Sequence, residues 1–232
     1  MTAPESPQHP HATTAATYDR LSRWYDLLAG SEQRLVRLGV ERLAAQPGES
    51  ILEIGPGTGH ALLALARAAG PAGHVTGVDL SPGMLRRART RLERAGLYRQ
   101  ARLVCADAAH LPLPPSSFDA VFLSFTLELF APADIPRVLG ECRRVLRPNG
   151  RLCVVSLADE GGSRRMLRLY HWAHTRFPAW VDCRPLAPAA LLEENGFCVQ
   201  ETLRRSLWGL PVHVVRAAPS PGLVTASRTS VA

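Results

Sequence analysis

The segment Glu53-Ile54-Gly55-Pro56-Gly57-Thr58-Gly59 follows an apolar run that begins at Ile51 and leads into a stretch, 60–69, with apolar residues at helical spacing. Three glycines between a short strand and a helix constrain the fold more than any other feature. The chain must pass through backbone angles that a Cβ resists, and something must approach that backbone more closely than a side chain would permit. The same order recurs at once, with 74–78 strand-like and 82–95 helical. Ser81 is placed to cap that helix, Pro82 suits its first turn, and Gly96 suits the position past its end. This alternation predicts a parallel sheet with helices on both faces.

Five more strands are read at 102–105, 119–125, 151–157, 198–203 and 212–216, seven in all, with helices at 134–146, 164–177 and 188–194. Two amphipathic helices, 17–28 and 31–45, precede the first strand, with Gly30 as the stop between them. Arg147-Pro148-Asn149-Gly150 reads as a turn in which proline ends a helix and glycine takes a positive φ. Residues 1–14 and 217–232 have too little apolar content to offset their ordering entropy and are expected to be flexible tails. One domain, 15–216, lies between them.

The formal charge is +7, and all 27 basic residues are arginine. Seven of them, Arg86, Arg87, Arg89, Arg91, Arg94, Arg99 and Arg102, crowd one segment. It reads as a solvated helix face and its flanks, since the interleaved aromatics that stack on bases are missing; a phosphate-binding patch is the sharper alternative. Cys105, Cys142, Cys153, Cys183 and Cys198 are odd in number and widely spaced, with no Cys-x-x-Cys pair, so buried reduced thiols are expected and no metal. No run approaches the roughly 18 apolar residues of a membrane helix, and 1–14 lacks the apolar core of a signal peptide, which points to the cytoplasm.

Asp79 ends the second strand, 20 residues past Gly59. A carboxylate there can accept both hydroxyls of a ribose, so bend and acid together imply a nucleoside-bearing ligand. The loop runs Gly-x-Gly-x-Gly instead of the dinucleotide Gly-x-Gly-x-x-Gly, and a chain without lysine has no Walker-type phosphate loop. Such a loop suits a ligand whose tail is an amino acid.

These residues resemble class I S-adenosylmethionine-dependent methyltransferases. Glu53 to Gly59 is similar to their motif I, Gly77-Val-Asp-Leu-Ser-Pro-Gly-Met-Leu85 to the ribose motif, and Cys105-Ala-Asp107-Ala108 to the adenine-contacting motif. Ser117-Phe118-Asp119-Ala120-Val121-Phe122 and Arg144 to Gly150 are similar to the fourth strand and the turn before the fifth, so the likeness spans about 50–157. It implies an α/β, Rossmann-like, seven-stranded mostly parallel sheet with its last strand antiparallel and the N-terminal helices as a lid. It also implies a cofactor half at about 46–157 and acceptor-side elements at 15–45 and 158–196. By the same resemblance Gly55, Gly57 and Gly59 wrap the methionine moiety beside Glu53, Asp79 holds the ribose, Leu80 and Met84 the adenine face, and Asp107 the adenine amine with Ala108 beside it. Ser124 stands where the acceptor side is exposed. Met84 as core and Asp107 as a strand-end cap are the structural alternatives. Within the superfamily the likeness is to the ubiquinone and menaquinone biosynthesis group, through Tyr18-Asp19, Tyr25-Asp26 and Asp79 to Leu85.

The implied activity is methylation of a small lipophilic acceptor, quinol-like at C or O, with S-adenosylhomocysteine as product. The alternatives are N- or O-methylation of a lipid headgroup or natural product, and a non-catalytic S-adenosylmethionine-binding protein. Ser124-Phe125-Thr126-Leu127-Glu128 stands where an Asp/Asn-Pro-Pro-aromatic motif would grip a base, which disfavours nucleic acid. Aromatic residues at 170–180 suit an apolar site on a helix above the sheet. His171 and His174 share a helix face, and with Tyr18, Tyr25 and Glu128 they are the candidates for a base that takes the acceptor's proton. Peripheral contact with a membrane, the acceptor's identity and the oligomeric state stay open.

Overall fold

The structure, a computed structural model, describes residues 32–160 and 184–221. Its centre is a seven-stranded sheet of β1 (Ser50–Ile54), β2 (His74–Asp79), β3 (Ala101–Cys105), β4 (Phe118–Ser124), β5 (Leu146–Leu157), β6 (Phe197–Leu207) and β7 (Leu210–Pro219). The order is β3-β2-β1-β4-β5-β7-β6. The first five strands pair in parallel, and β7 runs antiparallel between β5 and β6, as the likeness implied. Strand order reverses between β1 and β4. The loops leaving those strands diverge there, and a parallel sheet binds its ligands in the crevice they open.

Central strands are apolar on both faces because both faces are covered. Ile51, Ala120, Phe122, Cys153 and Val155 pack under α1 (32–43), α2 (His60–Ala69) and α3 (Pro82–Arg94). Leu52, Ile54, Val121, Leu123 and Val154 pack against α4 (Ile135–Val145), α5 (Pro188–Glu194) and the chain at 108–113. The α3 boundaries follow the sequence reading: Ser81 Oγ accepts from the Met84 amide at 3.3 Å, and Gly96 takes φ +70° just past the helix.

Three readings need correction. β5 begins at Leu146, so 147–150 is a bulge inside a strand: Phe118 pairs with Leu146, and Ala120 already pairs with Arg151. Gly150 is not left-handed; a Cβ there would sit 2.8 Å from Leu146 Cδ2 and 2.9 Å from the Arg147 carbonyl, so close packing demands the glycine. β6 and β7 extend to a two-residue hairpin at Trp208-Gly209, both at positive φ, a turn type that matches strand twist but is seldom signalled by tryptophan. Finally, Cys142 and Cys153 are buried thiols pushed up to about 12 by desolvation, whereas Cys105 and Cys198 are exposed. The helices expected at 17–28 and 164–177 lie outside the described residues, as do Cys183 and both expected tails except 217–221. Among the described residues no helix is long and apolar enough to cross a membrane.

At the amino ends of the strands, Arg151 joins three elements. Its guanidinium donates to the Leu43 and Ala44 carbonyls that close α1, at 2.5 and 2.7 Å, and to both oxygens of Glu49, at 2.8 and 2.7 Å. Desolvation is the largest single influence and raises the Glu49 carboxyl, but the Arg151 hydrogen bonds, the Gln46 amide and the Arg151 charge together hold that carboxyl below its ordinary range. The contribution is therefore present at neutral pH and fades as pH falls through the carboxylate range. Arg151→Met should cost roughly 3 kcal/mol in urea unfolding at neutral pH, because it orphans a carboxylate and two carbonyls together. A loss below about 1 kcal/mol would show that the bridge does not hold α1 to the sheet.

Candidate active site

The bend between β1 and α2 is left-handed at each glycine, with φ of +67° at Gly55, +52° at Gly57 and +82° at Gly59. Two of them also sit against neighbours. A Cβ on Gly55 would lie 2.4 Å from Thr126 Cγ2, and one on Gly59 would lie 2.9 Å from Ala88 Cα. Gly57 faces open space, leaving its backbone accessible from that side. The Gly55 amide donates to the Val78 carbonyl at 2.8 Å, which ties the bend to the tip of β2.

Asp79 completes that tie. One carboxylate oxygen accepts from the Gly57 amide at 3.2 Å and the other from the Ser81 amide at 2.8 Å, so bend and acid are joined directly at the tips of β1 and β2. Desolvation by burial raises the Asp79 carboxyl above its usual value, against the pull of these backbone donors. Beneath the bend, Glu53 is 1% exposed, its Oε2 has no hydrogen-bond partner among the described residues, and desolvation, with the Asp79 charge second, pushes its carboxyl up to about 8. An unpartnered carboxylate oxygen buried in the sheet is costly and complements a cation.

Leu80 is 52% exposed at the crevice rim, while Met84 is buried in the inward stripe of α3, so core packing accounts for Met84 as well as a ligand would. Asp107 is exposed and accepts from the Ala109 amide at 2.9 Å, capping the chain past β3; Ala108 is buried beside it. That loop is held by a pair the sequence reading did not single out. Arg144 donates to the Leu113 and Leu111 carbonyls at 2.8 and 3.0 Å and to Glu141 at 2.6 Å, and Glu141 accepts from the Leu111 amide at 2.8 Å. Their spacing of three on a helix was the available signal.

Ser124 ends β4. Past it, Phe125 adopts φ +50°, an uncommon angle for a non-glycine residue, and donates its amide to the Val155 carbonyl at 2.7 Å. The twist brings Thr126 under Gly55, where its hydroxyl donates to the Ser124 carbonyl at 2.9 Å, and turns Glu128 inward. Glu128 is 3% exposed, with Oε1 accepting from the Leu157 amide at 3.1 Å, the Ser156 hydroxyl nearby, and Oε2 without a close hydrogen-bond partner among the described residues. Desolvation raises its carboxyl to about 7, with the negative charge of Glu32 on α1 a smaller contribution in the same direction. The other candidate bases, Tyr18, Tyr25, His171 and His174, lie outside the described residues. Among the described residues no group of three or more His, Cys, Asp or Glu is placed to hold a metal ion.

Residues 51–150 match the methyltransferase domain family. The ubiquinone/menaquinone biosynthesis C-methyltransferase of Ralstonia nicotianae is 37% identical over 147 residues, 63% of this chain and 58% of that protein. The chain thus spans less than two thirds of that relative's length. A SAM-dependent methyltransferase from Aquifex aeolicus shares the fold with a TM-score of 0.62 at 20% identity, over 84% of this chain and 96% of that one. So does the 1,6-didemethyltoxoflavin N1-methyltransferase of Burkholderia thailandensis, solved with S-adenosylhomocysteine, with a TM-score of 0.66 at 18% identity over 95% and 94%. Residues 51–150 are thus similar to the methyltransferase domain family, and a longer stretch is similar to a ubiquinone/menaquinone biosynthesis C-methyltransferase.

The Glu53 carboxyl binds its proton more tightly in the folded chain than in the unfolded one. Its contribution is whole below the unfolded value of 4.5 and is lost as pH rises toward about 8. Glu53→Gln should therefore flatten part of the fall in urea midpoint between about pH 5 and pH 9 and should be the more stable form at the alkaline end. Parallel profiles for the two proteins would place a counter-charge beside Glu53.

Proposed function

We propose that this chain transfers a methyl group from S-adenosylmethionine to a small lipophilic acceptor, a quinol-like ring being the first candidate for C- or O-methylation. One observation carries the reading: the Gly57 amide of the glycine bend is hydrogen-bonded to the Asp79 carboxylate, beside a buried Glu53 oxygen that has no hydrogen-bond partner among the described residues. Such a carboxylate suits a ligand with a positively charged amino-acid tail. The backbone at Gly55, Gly57 and Gly59 would hold that tail, Asp79 the ribose, Leu80 and Met84 the adenine face, and Asp107 with Ala108 the adenine edge. When bound, S-adenosylmethionine supplies an electrophilic methyl on a sulfonium.

The chain's own part is alignment and proton removal. Ser124 and the left-handed turn at Phe125 frame the acceptor side, where a dry crevice favours in-line approach. Glu128 is the base best supported among the described residues: its carboxyl is buried at the carboxyl ends of β4 and β5, and desolvation raises it to about 7. The acceptor's C–H or O–H proton would pass to that carboxylate. The quinone likeness of the curated relative favours a lipophilic ring; a lipid headgroup and a natural product are the other acceptors to assay.

Calorimetry should show S-adenosylhomocysteine binding to the native chain and not to Asp79→Ala; retained affinity in the variant removes the ribose assignment. With a demethylquinol acceptor, the rate should rise as pH passes about 7, and Glu128→Gln should lower kcat by about 100-fold or more and abolish that limb. An unchanged pH profile in the variant removes Glu128 as the base. Cofactor binding without transfer to any acceptor of the panel would identify a binding protein instead.

A further inference from the structure

Arginine accumulates on one face of α3 for a reason the cofactor crevice does not use. Met84, Leu85, Ala88 and Leu92 turn inward, leaving Arg86, Arg87, Arg89, Arg91 and Arg94 outward with a single acid, Glu93. Glu93 is committed to Arg89 at 2.8 Å, and Arg89 also lies over the Tyr98 ring, 4.9 Å from its centre. The other four arginines, with Thr58 and Thr90, line an open groove of about 780 Å³.

The helix brings like charges close together. Arg87 and Arg91 are four residues apart and Arg91 and Arg94 three, spacings at which like charges on a helix repel. Arg91 and Arg94 lie in the last turn of α3, where the helix dipole favours cations and offsets part of this repulsion. Among the described residues Arg86 and Arg94 have no carboxylate within 4.0 Å. An ordinary solvated face would let these side chains spread into water. Instead Arg91 is held down, donating from Nε to the Thr58 carbonyl at 2.9 Å and bonding from Nη1 to His60 Nδ1 at 2.8 Å. Thr58 is also the residue before Gly59, the uncapped amino end of α2.

We propose that this groove binds phosphate groups, with the Arg91 guanidinium as its fixed floor and Arg86, Arg87 and Arg94 as its walls. Planar guanidinium forks match phosphate oxygens, and a fixed one loses less freedom on binding. Among the described residues that line the groove none carries an aromatic ring for bases to stack on, which disfavours nucleic acid. The phosphates belong either to anionic lipid headgroups or to a soluble polyphosphate, and the inference stands independently of methyl transfer.

The test uses the full chain and two probes, pyrophosphate in metal-free buffer by calorimetry and flotation with phosphatidylcholine vesicles with or without equimolar phosphatidylglycerol. S-adenosylhomocysteine affinity is measured on the same samples to report folding. Arg86→Gln/Arg94→Gln should weaken the responsive probe at least tenfold and leave S-adenosylhomocysteine affinity unchanged, while Arg204→Gln/Arg205→Gln, which removes equal charge from exposed positions of β6, should have little effect. Pyrophosphate binding without vesicle binding assigns a soluble ligand, and vesicle binding that needs phosphatidylglycerol assigns the headgroup. Silence of both probes, or equal losses in the two double variants, overturns the proposal.

Discussion

The hydrogen bonds from the Gly57 and Ser81 amides to the two oxygens of Asp79 bind the β1 bend to the start of α3, and the candidate site depends on this clasp. Neither loop has much apolar surface with which to define its own shape. The clasp works because Gly57 turns through φ +52° and offers its N–H toward β2, while Ser81 begins a helix whose first amides need acceptors. A ligand that takes over Asp79 would compete with these backbone donors for the same lone pairs, so binding there exchanges one set of charge-assisted hydrogen bonds for another.

Charge is handled differently at the two ends of the sheet. At the amino ends of the strands the carboxylates are satisfied: Glu49 by Arg151, and Asp119 by the Ser50 amide and the Arg147 guanidinium. Both are held below the ordinary carboxylate range despite desolvation. At the carboxyl ends, Glu53 and Glu128 are buried, each with an oxygen that has no hydrogen-bond partner among the described residues, and both are raised far above that range. Among the described residues the unmet polar requirements therefore lie at the end of the sheet where the candidate site stands.

Much of this architecture is legible along the chain. Apolar β1, β2 and β4 between helical stretches could only be a parallel sheet covered on both sides, and Ser81, Pro82 and Gly96 delimit α3 because caps act over a few residues. The bulge at 147–150 was not legible, since it depends on how many residues of β5 oppose β4. The Trp208-Gly209 hairpin was missed for a related reason: its turn is shaped by the strands it joins. Glu141 and Arg144 could be read as a helical pair, but not as the support of the loop carrying Asp107, because their partners lie 30 or so residues away.

The sequence alone determined the glycine bend, the acid 20 residues beyond it and the order of elements, since each rests on local backbone geometry and periodicity. Tertiary structure alone decided which carboxylates are buried without partners, that Glu128 turns inward while Asp107 stays in solvent, and that four arginines of α3 converge on one groove. Burial and charge environment are properties of what packs around a side chain from distant parts of the chain, and no local pattern encodes them.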